Sequence, residues 1–219
     1  MLKRNLTEEL VGKFSEALAK IKEYRREGKN EEALNVIDNT LKDLFRLGFK
    51  FFNSFSDENL IDMVKTDGTI NADKCIMMAK LLEEESEILE TLDNSNEAFY
   101  IYLKSLNLFL EAFLSKDEDC DLQYFFSDID IIIEKICDYK VPLILQNKMI
   151  DYYIKTKTYD KAENILYEIL EDNNFNKSVL EKGISFYEEL LTKSDEDLQN
   201  GNLAREEIIE SSSILKKKL

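Results

Sequence analysis

The chain has 219 residues and a formal net charge of −16, with no His, one Pro and six Gly. Such a charge argues against nucleic acid or an anionic membrane surface as a partner, since both need a basic footprint. The missing His removes the commonest general base and zinc ligand. Scarce Gly and Pro beside a 44% apolar share indicate a helical chain able to bury a core without a disulfide or metal.

Leu6, Leu10, Phe14, Ala17, Leu18, Ile21 and Tyr24 recur at spacings of three and four, which predicts an amphipathic helix over 6–26 ended by Gly28. This is the basic part of the molecule: residues 1–29 hold eight Lys or Arg against five Glu, net +3, leaving −19 for the rest. The segment is expected either to stay solvated or to dock on acidic surface, within the chain or on a second copy. A partner helix is expected from Asn30 to Leu47, burying Ala33, Leu34, Ile37, Leu41, Leu44 and Phe45. Phe49, Phe51, Phe52 and Phe55 follow as an aromatic cluster. It either fills the core or, if exposed, forms a self-association patch for a homodimer. Ser56 caps a short helix over 57–65, and Thr66-Asp67-Gly68-Thr69 makes a turn.

Long helices are predicted over 71–92 and 96–114, the second apolar nearly all round and therefore central. An acidic loop occupies 115–121. Asp117, Asp119 and Asp121 stand at the first, third and fifth positions of a calcium loop. The required Gly and bidentate Glu are replaced by Leu122 and Asp128, so the loop is read as solvated. Further helices are expected over 122–138, 142–156 (opened by Pro142), 159–172, 176–193 and 203–217, with loops at 194–196 and 200–202. No linker-like stretch appears, so residues 1–219 are read as a single domain.

No phosphate loop, nucleophile elbow or metal-ligand cluster is present, and the chain is read as non-enzymatic and without a cofactor. Cys75, Cys120 and Cys137 are far apart and form no CxxC pair, which suits reduced, buried thiols in a cytoplasmic protein. No secretory core or bilayer-length apolar run is seen. Glu83, Glu84, Glu85, Glu87 and Glu90 crowd one helix, where Glu83, Glu87 and Glu90 share a face. They read as a solvated face or as an acidic strip for a cationic partner.

Three segments share one pattern: Tyr24 to Ala33, Leu89 to Ala98 and Tyr153 to Ala162, each a helix end, a polar turn and a helix opening with Ala. They resemble the tetratricopeptide repeat. Tyr24, Gly28 and Ala33 match its consensus in the first copy. Ser86, Ala98 and Tyr102 match in the second, and Tyr153, Tyr159 and Ala162 in the third. The marker Ala residues lie 65 and 64 positions apart rather than one repeat length, and the repeat's Trp and closing Pro are absent. Gly183 through Leu191, Ser194 through Leu198 and Asp67-Gly68 resemble an uncharacterised bacterial family, a domain of unknown function known mainly from Firmicutes.

The resemblance implies an all-α fold of antiparallel helical hairpins stacked as a right-handed tetratricopeptide-like α-solenoid of about nine helices. It also implies a groove lined by Lys22, Arg25, Glu83, Glu87, Glu90, Asn147, Asp151 and Lys155. The expected function is a protein-interaction scaffold whose acidic groove takes a basic peptide or helix. Charge reversal at Glu83 and Glu87 should then weaken binding without unfolding the chain. The alternatives are the homodimer through the Phe cluster, or a small-molecule site between helices.

Overall fold

The structure is a computed structural model that describes residues 2–115 and 120–219, apart from the side chains of residues 2–7 and 53. The calcium-loop positions Asp117 and Asp119 lie outside the described residues. Among the described residues the fold is all-helical, with one small hairpin, and the chain forms two compact units, Met1–Val141 and Pro142–Leu219.

The first unit contains α1 (Leu2–Arg26), α2 (Asn30–Phe45), α3 (Phe49–Ser54), α4 (Asp57–Val64), α5 (Ala72–Thr91), α6 (Ser95–Leu114) and α7 (Asp128–Ile136). Strands β1 (Lys65–Thr66) and β2 (Thr69–Ile70) join α4 to α5 as an antiparallel hairpin with Lys65 opposite Ile70. Asp67 and Gly68 both take positive φ, the condition for a two-residue hairpin turn. The expected turn thus carries a pair of short strands. The helix expected over 122–138 starts instead as a 3₁₀ turn, Gln123–Ser127, before α7.

Helix α5 sits at the centre of this unit and packs against α1, α2, α4 and α6. Every residue from Ala72 to Ser86 except Lys74 is buried, so α5 is enclosed over a longer stretch than α6, where burial is continuous only over 105–110. The two helices approach closely enough for Ser105 Oγ to donate to the Ala79 carbonyl at 2.8 Å. Phe14, Leu18 and Ile21 of α1 and Ile37 and Leu41 of α2 complete the core. Asn71 caps α5 by accepting from the Lys74 N–H at 2.9 Å.

The second unit contains α8 (Leu143–Lys155), α9 (Tyr159–Asp172), α10 (Lys177–Leu190), α11 (Asp195–Asn200) and α12 (Arg205–Lys218). Pro142 stands one residue ahead of α8, where its missing N–H costs nothing. The six-residue helices α3 and α11 have no counterpart in the apolar periodicity, because a turn and a half is too short to show a stripe. Each is held by a side-chain cap: Asp38 accepts from Phe49 N–H at 2.9 Å, and Ser194 from Asp197 N–H at 3.1 Å. Lys104 donates to the Phe52 and Phe55 carbonyls at 2.9 and 2.7 Å, closing the other end of α3.

The three recurrent segments share one backbone geometry. The Tyr24, Leu89 and Tyr153 carbonyls accept from the N–H five residues on, of Lys29, Asn94 and Thr158, each at 2.9 Å. The preceding residues Gly28, Asp93 and Lys157 take positive φ. This is the Schellman helix ending. In every copy the Ala nine residues past the accepting carbonyl is buried in the next helix. Of the cysteines, Cys75 is buried as expected, while Cys120 is half-buried and Cys137 exposed, at the end of α7.

Gly28 has open space where a Cβ would go, so Gly28→Ala adds only left-handed strain and should cost about 1 kcal/mol. Gly201 has an ordinary φ, but its added Cβ would strike the Tyr159 ring and the Lys157 carbonyl at 2.8 Å. Gly201→Ala should therefore cost about 1–3 kcal/mol by overpacking. Urea midpoints of the two variants check both expectations.

Candidate functional site

Two surfaces gather the functional residues expected from the sequence, one in each unit. In the first, α5 places Lys80, Glu83, Glu84 and Glu87 against α1 and the start of α7. Lys80 Nζ stands 2.9 Å from Glu83 Oε1, 3.5 Å from Glu84 and 2.9 Å from Asp128 at the first position of α7. Arg25 of α1 pairs with both Glu84 and Glu87, and Lys22 stands 4.0 Å from Glu84. The basic first helix therefore docks on acidic surface within its own chain. Around these groups is a cleft of about 680 Å³, which also reaches Arg26, Asn30, Thr91 and Ile131.

The solvated-face reading of the Glu cluster is corrected by burial: Glu83, Glu84 and Glu85 are only 2%, 1% and 2% exposed. Three consecutive helical positions span about 200°, so a helix packed on several sides must enclose some of them. Burial pushes the Glu83 carboxyl up to about 8, helped by the charges of Asp128 and Glu87 and opposed by Lys80. Burial pulls the Lys80 ammonium down, but Glu83, Asp128 and Glu84 outweigh it, and its pKa ends above the ordinary lysine value. Glu83 Oε2 has no hydrogen-bond partner among the described residues.

The structure thus brings Lys22, Arg25, Glu83 and Glu87 together. Glu90 is turned to other partners, accepting from the Tyr102 hydroxyl at 3.1 Å and from Lys135 at 2.6 Å. Lys80, Glu84 and Asp128 were missed by sequence reasoning. The i, i+4 pair Lys80–Glu84 within an otherwise apolar run was the available signal. Charge reversal at Glu83 and Glu87 would break these internal pairs, so it tests the fold before it tests binding.

Asn147, Asp151 and Lys155 lie in the second unit, along α8. Asn147 lines a groove of about 440 Å³ between α8, α9 and α10, with Ile150, Leu166, Ile169, Val179 and Phe186 as its apolar lining and Glu181 and Lys182 among its polar residues. One turn beyond Asn147, partial desolvation and the charge of Glu189 on α10 push the Asp151 carboxyl above its ordinary value, with Lys155 opposing. In the aromatic cluster, Phe52 is buried edge-on against Phe45 at 6.0 Å, Phe51 is 57% exposed, and Phe49 and Phe55 are half-buried. The four rings therefore do not form one exposed patch.

Among the described residues, no helix is long and apolar enough to cross a membrane. The fold and this charged cleft describe a helical protein. The whole chain, residues 1–219, matches the family of unknown function DUF6483, and it belongs to that family. No curated protein and no solved structure matches it.

The Glu83 carboxyl holds its proton more tightly folded than unfolded, so its contribution to stability falls as pH rises from about 4.5 to about 8. Around it are Lys80 and Glu87 on α5, Asp128 on α7, Tyr102 on α6 and Arg25 on α1. Urea denaturation at pH 6 and pH 8.5 should show a smaller loss of stability in Glu83→Gln than in the wild type. Lys80→Met should destabilise by about 3–5 kcal/mol, because it removes the close cation of Asp128 and of the buried Glu83, leaving Glu84 to Arg25.

Proposed function

We propose that this protein is a non-catalytic, cytoplasmic interaction module of tetratricopeptide-like build, with right-handed stacking of its helical hairpins, that holds a basic peptide or helix of a protein partner. The Schellman turns at Tyr24, Leu89 and Tyr153, each followed nine residues on by a buried Ala, support the repeat reading. The binding surface is the α8–α10 groove rather than a groove shared by all three helical pairs, since the acids of the α5 cleft are already held by Lys80 and Arg25.

The observation that carries this reading is the apolar groove between α8, α9 and α10, outside whose lining stand two acids, Asp151 of α8 and Glu189 of α10, the charge of Glu189 raising the Asp151 carboxyl. Both residues are exposed. A partner cation beside Asp151 offsets the Glu189 charge that raises it, and an apolar side chain entering beside Leu166, Ile169 and Phe186 supplies the anchor. Among the described residues Glu189 makes one ion pair, a long contact of 3.7 Å with Lys193, so a better-placed cation can displace it. Homodimerisation through the Phe cluster is the weaker alternative, because Phe52 is consumed by the core.

The test uses a fluorescein-labelled amphipathic peptide with Leu and Lys at helical spacing, read by anisotropy at low and moderate salt. Asp151→Lys with Glu189→Lys should weaken binding by about tenfold or more, while Glu206→Lys with Glu210→Lys on exposed positions of α12 should have little effect. Equal losses from both pairs would reduce the interaction to the net charge of the chain and refute the groove.

A further inference from the structure

The cleft between α1, α5 and α7 has a charge balance unlike that of the chain as a whole. Its carboxylates are committed: Glu84 and Glu87 to Arg25, Asp128 to Lys80, and one oxygen of Glu83 to Lys80. Two of its cations are not. Lys22 and Arg26 lie one turn apart on α1, both exposed. Lys22 comes no nearer than 4.0 Å to Glu84, and Arg26 makes no ion pair among the described residues, its Nε donating only to the Lys22 carbonyl at 3.2 Å. Four cations and four carboxylates line the cleft, and the two cations left outside its close ion pairs, Lys22 and Arg26, both sit on α1.

A second feature points the same way. Glu83 lines this cleft with its side chain only 3% exposed, and its Oε2 lacks any partner among the described residues. A buried polar atom left unsatisfied is costly, and a ligand group is one of the few things that can satisfy it. Ile131, 48% exposed, adds an apolar contact on the α7 side. At about 680 Å³ the cleft has the size of a small-molecule site.

We propose that this cleft binds a small organic anion, whose carboxylate or phosphate is held by Lys22 and Arg26 while the Glu83 carboxyl meets the rest of the ligand from α5. Two cations on one helix face suit a multi-oxygen anion: the guanidinium offers paired donors and the ammonium a mobile point charge. A cationic ligand fits less well, because it would meet Lys22 and Arg26 uncompensated. The site is independent of the α8–α10 groove, and either can fail without the other.

The experiment titrates the isotope-labelled full chain with inorganic phosphate and with citrate, against chloride at matched ionic strength, and follows backbone amide shifts. Saturable shifts concentrated in residues 22–30 and 80–91 are expected. Lys22→Ala with Arg26→Ala should weaken binding about tenfold or more without changing the melting temperature, since neither side chain holds the core. Affinity should fall as pH passes about 8, where Glu83 becomes an anion, and Glu83→Gln should flatten that profile while Lys80, Glu87, Asp128, Tyr102 and Arg25 stay in place. Binding of phosphate alone assigns a phosphate ester, binding of citrate alone a carboxylate, and either supports the site. Shifts that follow chloride equally, spread over all surface cations, or persist in the double variant overturn it.

Discussion

A helix packed on several sides can keep ionised groups only if its neighbours neutralise them, and the first unit is organised around that constraint. Helix α5 carries Lys80, Glu83 and Glu84 into the interior, and the compensation comes from Asp128 on α7 and Arg25 on α1. Such pairs add little net stability, because desolvation offsets most of the attraction, but losing one partner is expensive. Their effect is to make the placement of α1 and α7 on α5 specific. Apolar contacts of Phe14, Leu18 and Ile21 would tolerate sliding of α1 better than a guanidinium held between two carboxylates does.

The hairpin turns show a different economy, in which one backbone geometry is met by different residues. Gly28 reaches positive φ without strain, whereas Asp93 and Lys157 reach it at a cost. Lys157 recovers something through its ion pair with Asp197 at 2.7 Å. The Asp197 carboxylate also accepts from the Tyr159 hydroxyl at 2.9 Å, tying α11 to the start of α9. The turn is thus conserved in shape across the three copies while its chemistry varies, as expected when the hydrogen bonds to the last helical carbonyls set the geometry.

What each surface can bind follows from which charges are left over locally, and the net charge of −16 is a poor guide to it. In the α5 cleft the acids are spent on internal pairs and two α1 cations remain, favouring an anion. In the second unit Asp151 and Glu189 stand outside the lining of an apolar groove, and the partner proposed there is a cation with an apolar neighbour. The expected groove drew Glu83 and Glu87 from the first unit and Asn147 and Asp151 from the second, and so combined two different local balances. Recognition depends on desolvated charge at contact distance, which sums along a sequence do not resolve.

Much of the local structure was legible in the chain itself. Spacing of three and four in Leu10, Phe14, Leu18 and Ile21 places α1. The cap Ser56 places the start of α4, and the turn at Tyr153 to Ala162 places the α8–α9 hairpin. These succeed because periodicity and capping are local effects that act within one or two turns. The fate of Glu83, Glu84 and Glu85 was not legible, nor was that of Phe52 or Cys137, since each depends on which neighbour arrives from far along the chain. Asp128 meets Lys80 across 48 residues, and Arg25 meets Glu84 across 59. The sequence by itself determined that this protein is helical, where most of its helices begin and end, and which turns repeat. Only the tertiary structure decided which charges are buried and which remain available, because burial and pairing arise from packing between elements that no local pattern encodes.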